Sequence, residues 1–131
     1  MSTVYRGMKV DNDGLPHVGR SAKKLGVRVD PAAERSDILA DEQGYVTPGT
    51  GGMSVNTDIK EIPSHRRKVE QGGIPPRPTF AVFRCDSGVF AGRLQLTWTY
   101  ASHHVVEPSA YSLLQDYETN LAMTRPHWTI V

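Results

Sequence analysis

The sequence predicts an α+β domain: a small mixed, mainly antiparallel sheet followed by one C-terminal amphipathic helix. Three observations carry that prediction. Residues 79–85 are rich in β-formers, and residues 93–100 alternate cleanly between apolar and polar side chains. Asp86-Ser87-Gly88 supplies a turn between them. Beyond Pro108, the positions Ala110, Leu113, Leu114, Tyr117 and Leu121 recur at helical spacing, bracketed by Pro108 and Pro126.

Taken in order, residues 3–10 read as a short strand closed by the turn Asp11-Asn12-Asp13-Gly14. Residues 21–26 read as one helical turn, with Ser21 as N-cap and Gly26 as its left-handed stop. Between 30 and 43 the signal is mixed, and Asp37-Ile38-Leu39 is the strand fragment expected there. Pro48-Gly49-Thr50-Gly51-Gly52 is a glycine-dense turn, and Ser54 starts a strand after it. Residues 56–78 hold Pro63, Gly72, Gly73, Pro75, Pro76 and Pro78, a long loop within the domain that leans functional or mobile. In the strand at 93–100, Leu94, Leu96, Trp98 and Tyr100 share one face, expected to be core. Gln95, Thr97 and Thr99 share the other. Residues 103–106 form a third short strand, the helix runs over 108–125, and Trp128 anchors the tail.

Composition narrows the function. The chain has 131 residues, about one domain (1–131), enough to bury a core without metal or disulfide staples. Lys and Arg number 15 against 14 Asp and Glu, a net charge of +1, so no global field points to nucleic acid or a membrane. That balance suits a small-molecule ligand or a protein partner. The single cysteine, Cys85, excludes an internal disulfide and reads as a buried strand residue in a reducing compartment. No apolar targeting segment or membrane-length stretch is visible, so the expected site of action is cytoplasmic. Export without a cleavable signal would leave no trace.

Four places could carry chemistry. Arg6, beside Gly7 in the first strand, could clamp a pyrophosphate or carboxylate, or be an ordinary strand-face arginine. The Thr50-Gly51-Gly52 turn leaves room for a ligand, and Ser54 after it could bond a ribose hydroxyl or be a surface serine. In a strand, His103 and Glu107 share a side while His104 points away. Glu107 could then stabilise an oxocarbenium-like ribose and His103 shuttle a proton, or Glu107 could simply favour a helix dipole. Ser64-His65-Arg66-Arg67-Lys68 is a basic run without interleaved aromatics, a poor nucleic-acid signature. The spacing of His17, His65, His103 and His104 matches no metal-ligand pattern, so no metal is expected.

These segments, in order, resemble a family of small bacterial toxins, type VI secretion effectors with an ADP-ribosyltransferase-like fold. The matching residues are Tyr5-Arg6, Val18-Gly19-Arg20, Asp37-Ile38, Gly44-Tyr45-Val46, Thr50-Gly51-Gly52 with Ser54-Val55, and His103 with Pro108. Met53 stands where some relatives carry a threonine. The resemblance implies an ADP-ribosyltransferase-type sheet and NAD as substrate, with ADP-ribose transferred to a target or NAD hydrolysed. It implies Arg6, Gly7, Arg20, Thr50, Gly51, Gly52 and Ser54 as cofactor-binding residues, and Ser54 and His103 as catalytic ones; Glu107 joins the catalytic set on the strand-face reading given above. A neutralising immunity protein and an unidentified cytosolic target are the implied partners. The chain lacks the paired-acid turn of arginine-modifying transferases. A non-enzymatic toxin or binding module on the same scaffold, acting through a protein or RNA surface, is the alternative.

Overall fold

The computed structural model describes residues 2–29, 36–67, 71–72 and 79–131. Among them are eight strands and one α-helix: β1 (Thr3–Lys9), β2 (Tyr45–Val46), β3 (Met53–Asn56), β4 (Phe80–Asp86), β5 (Leu94–Tyr100), β6 (His103–Pro108), β7 (Ser112–Leu113), α1 (Leu114–Ala122) and β8 (Thr129–Ile130). Six strands make one sheet in the order β5-β6-β3-β1-β4-β8, with every recorded pairing antiparallel; β2 and β7 form a separate two-stranded ribbon. The expected α+β class and mainly antiparallel sheet are thus present, with the helix near the C-terminus.

Alternation assigns the two faces. Val4 and Met8 of β1, Phe83 and Cys85 of β4, Met53 and Val55 of β3 and Val106 of β6 turn inward to the main core. Tyr117 and Leu121 of α1, Trp128, and Leu25, Val27, Ile38 and Val46 from the long N-terminal connection cover that face. Phe80, Val82 and Ile62 are buried outside this cluster, on the opposite face. There a short 3-10 turn, Ser64–Arg66, packs on β1 and β4. A Cβ on Gly7 would lie 2.6 Å from the Arg66 Cβ, so this approach requires glycine. The outer faces of β3, β5 and β6 carry instead a polar stripe.

Several expected elements differ. Residues 21–26 form turns: Ser21 Oγ accepts the Lys23 N–H at 3.1 Å as a cap would, but no helix follows. Gly26 sits at φ +154 against the Gly19 backbone. The fragment at 37–39 contributes only one bridge, Ile38 to Gly51. The expected helix over 108–125 is shortened to nine residues, Leu114–Ala122. β6 runs on through Glu107 to Pro108, which pairs with Leu94, and Ser112–Leu113 pairs with Tyr45–Val46. Of the 56–78 loop, Asn56 closes β3, 59–61 and 64–66 are 3-10 turns, and 68–70 and 73–78 lie outside the described residues. Trp98 and Tyr100 are not core; they are 63% and 66% exposed at the far end of edge strand β5. Cys85 and Trp128 are buried as expected, and the Trp128 indole N–H donates to Thr124 Oγ1 at 3.0 Å. Burial, reinforced by Asp86, pushes the Cys85 thiol up to about 12, which leaves it unreactive. Among the described residues, no helix is long and apolar enough to cross a membrane.

Candidate functional site

The polar stripe is built by strand register. Ser54 pairs with Val105 across β3 and β6, and Val105 pairs with Thr97 across β6 and β5. Two residues along, Glu107 pairs with Gln95; two residues back, His103 pairs with Asn56 and Tyr100. Paired residues share a face, so Ser54, His103, Glu107, Gln95 and Thr97 all rise from the outer side of the sheet.

At one end, His103 Nε2 lies 3.1 Å from Ser54 Oγ. His103 Nδ1 contacts Thr99 Oγ1, and the Tyr100 ring stacks on the imidazole at 5.0 Å and 16°. Burial, and then the neighbouring His104, lower the affinity of His103 for a proton below the ordinary value of 6.5, so the ring is neutral at pH 7.

At the other end is Glu107, only 3% exposed. Its Oε1 accepts from Gln95 Nε2 and Thr97 Oγ1, both at 2.7 Å, and its Oε2 accepts the Gly49 N–H at 2.9 Å. Burial pushes this carboxyl up, but the hydrogen bonds from Gly49, Thr97 and Gln95 outweigh it and hold the group below the ordinary 4.5. Glu107 is therefore an immobilised carboxylate, seated within β6 and not at a helix start. Two steps of the strand pleat separate it from His103, about 13 Å along β6 at ~3.3 Å per residue.

The glycine turn is clamped from both sides. The Gly52 N–H donates to the Asp37 carbonyl at 2.8 Å. Gly51, at φ +118, would place a Cβ 2.1 Å from that same carbonyl oxygen, and a Cβ on Gly52 would lie 2.4 Å from the Val106 oxygen. Thr50 Oγ1 donates to the Thr47 carbonyl at 2.8 Å. The turn thus delivers the Gly49 N–H to Glu107.

Arg6 and Arg20 lie elsewhere. Arg6 leaves β1 on the inner face, between Val4 and Met8, opposite to the Ser54 hydroxyl. It is 4% exposed, and its guanidinium donates to the main-chain oxygens of Ser54 at 2.6 Å, Lys24 at 2.8 and 3.2 Å, Gly26 at 3.3 Å and Ser21 at 3.4 Å. Burial pushes it down to about 10, which leaves it charged at pH 7. Arg20 is paired side-on with Glu118 of α1 at 2.7 and 2.8 Å. Gly7 faces Arg66, and Arg67 ties down its own loop through the Ile59 and Ile62 carbonyls. Lys68 lies outside the described residues. Two cavities of about 220 and 140 Å³, meeting at Arg93 and Asn120 between β5 and α1, touch none of Ser54, His103 or Glu107.

Sequence reasoning missed Thr97, Gln95, Thr99 and Tyr100 as site residues. The available signal was the alternation of β5, which already set Gln95, Thr97 and Thr99 on a common face. No protein-family model, no curated protein and no solved structure matches the chain. The site stands on its own geometry.

Proposed function

We propose that the protein is an NAD-using toxin of ADP-ribosyltransferase type, acting in a bacterial cytosol by transferring ADP-ribose or hydrolysing NAD. The observation that supports it is a Ser54–His103 hydrogen bond on the same sheet face as a buried, firmly held Glu107 carboxylate. Loss of nicotinamide leaves an oxocarbenium-like ribose, and a fixed carboxylate stabilises the positive charge without reorganising in the transition state. Gln95, Thr97 and the Gly49 N–H keep Glu107 ionised and oriented. Ser54 and His103 present a hydroxyl and an imidazole for the ribose. Arg6, with its donors engaged by main-chain oxygens, supports the framework from beneath and is not assigned to the pyrophosphate. Delivery by type VI secretion and neutralisation by a cognate immunity protein belong to the same reading.

Induced expression in a bacterial cytosol tests it, with growth and total NAD followed together. Arrest with falling NAD, both abolished in Ser54→Ala, is the expected result. One observation favours a second reading, a non-enzymatic toxin acting through a protein surface: Trp98 and Tyr100 stand exposed at the turn end of the β5–β6 hairpin. Arrest at constant NAD, lost in Trp98→Ala and Tyr100→Ala but kept in Ser54→Ala, would transfer the assignment to that surface.

A further inference from the structure

The hydrogen bonds around His103 determine which nitrogen carries its proton. Thr99 Oγ1 lies 2.8 Å from the main-chain oxygen of His103 and also contacts His103 Nδ1. Two oxygens at that separation need a proton between them, and a carbonyl has none, so the Thr99 hydroxyl donates to the carbonyl. Its remaining capacity toward Nδ1 is a lone pair, and Nδ1 must therefore bear the ring hydrogen. Nε2 is left with a lone pair, 3.1 Å from Ser54 Oγ, and accepts the serine proton. The stacked Tyr100 ring holds the imidazole plane. A register shift between Trp98 and Tyr100 in β5 brings both Thr99 and Tyr100 to His103.

From this arrangement we infer that Ser54 is an activated nucleophile, with His103 as its general base and Thr99 as the positioning residue that fixes the base's tautomer. A nucleophile, a base within hydrogen-bond reach and a third group orienting that base are the elements such chemistry requires. The substrate class is an electrophilic carbon or phosphorus centre carrying a good leaving group. With a ribosyl substrate, the bond from Ser54 Oγ to C1′ forms as the bond to the nicotinamide nitrogen breaks. That nitrogen keeps the electron pair, and the Ser54 proton passes to His103 Nε2. The inference rests on the sheet-face site proposed above but not on NAD as its ligand.

The test uses the whole chain and diisopropyl fluorophosphate. Attack by Ser54 forms the O–P bond, expels fluoride with the P–F electron pair, and leaves the proton on His103. Peptide mass spectrometry at pH 7.5 should place the label on Ser54 at least tenfold faster than on Ser64, which is exposed and outside the site. The rate should fall on acidification below the ordinary histidine value of 6.5, as His103 protonates. The charged and titratable groups near it are His104 next in the chain, Tyr100 on its ring, Glu107 along the strand, and Tyr5 and Arg84 along the same cross-strand row. Thr99→Val should slow labelling at least fivefold, and Thr99→Ser should restore it. Nitrogen-15 NMR of the parent should show the Nδ1–H tautomer. Labelling of Ser54 no faster than Ser64, an unchanged Thr99→Val rate, or an Nε2–H tautomer would each overturn the inference. Neither reagent nor spectrum involves NAD, so this failure and failure of the NAD reading are separable.

Discussion

Arg6 is a charged side chain enclosed by the core, yet among the described residues no acidic side chain is in hydrogen-bond contact with it. Its stability comes from main-chain oxygens on the 21–26 connection and on β3, which it ties to β1. Arg6→Ala would remove the guanidinium donors from the Ser54, Lys24 and Gly26 oxygens, at a loss of roughly 2–5 kcal/mol by the usual scale for broken buried charge networks. Arg6→Lys keeps the charge but not the planar fork, and should recover less than half of that loss in urea titrations. Glu107 offers a second residue-level prediction. Its carboxyl is held below 4.5, so the folded state binds protons less readily than the unfolded chain. The resulting stability is complete above that ordinary value and is lost as pH falls through the lowered folded value. The stability difference between the parent and Glu107→Gln, followed by thermal unfolding across pH, should therefore shrink on acidification below 4.5.

At the level of elements, the glycine turn should show graded sensitivity. Gly49 has φ +88 but open space around its Cβ position, so Gly49→Ala should cost about 1–2 kcal/mol from backbone strain alone. Gly51→Ala combines φ +118 with a 2.1 Å clash against the Asp37 carbonyl and should unfold or displace the turn. Chemical denaturation of the two variants side by side measures the difference. In the β5–β6 hairpin, Ala101 is the one non-glycine described residue at positive φ, +48. Ala101→Gly removes that strain and should leave stability unchanged or raise it by up to about 1 kcal/mol. Helix α1 contributes chiefly through Tyr117, whose hydroxyl donates to the Val106 carbonyl and accepts the Met53 N–H at 3.1 Å. It thereby joins the helix to the two strands that carry Ser54 and His103.

For the whole molecule, what could be read early was what is local. Strands β1 and β5 follow from alternation and β4 from its run of β-formers, each within seven residues, and the turns after β1 and β4 from Asp and Gly chemistry. The helix start was not legible. Pro108 resembles an N1 proline but lies in a strand because Leu94, far earlier in the chain, pairs with it. The exposure of Trp98 was hidden for a similar reason. Exposure rises along edge strand β5 from 5% at Leu94 to 63% at Trp98, and a nine-residue helix, about 13 Å long, does not cover its far end. The Ser54–His103 contact joins residues 49 apart, a distance no periodicity spans; the resemblance named both residues, and the β3–β6 register brings them together.

On the proposed function, Ser54, His103 and Glu107 form one chemical site that takes NAD. The most direct measurement is nicotinamide released from NAD by the purified chain, beside Ser54→Ala and Glu107→Gln, each normalised to its folded fraction. Release by the parent is expected, with a loss of about 10²–10³ in Glu107→Gln, the usual scale for removing one preorganised transition-state contact. Ser54→Ala should fall by at least tenfold. Release that persists undiminished in both variants, or no release by a folded parent, would contradict it.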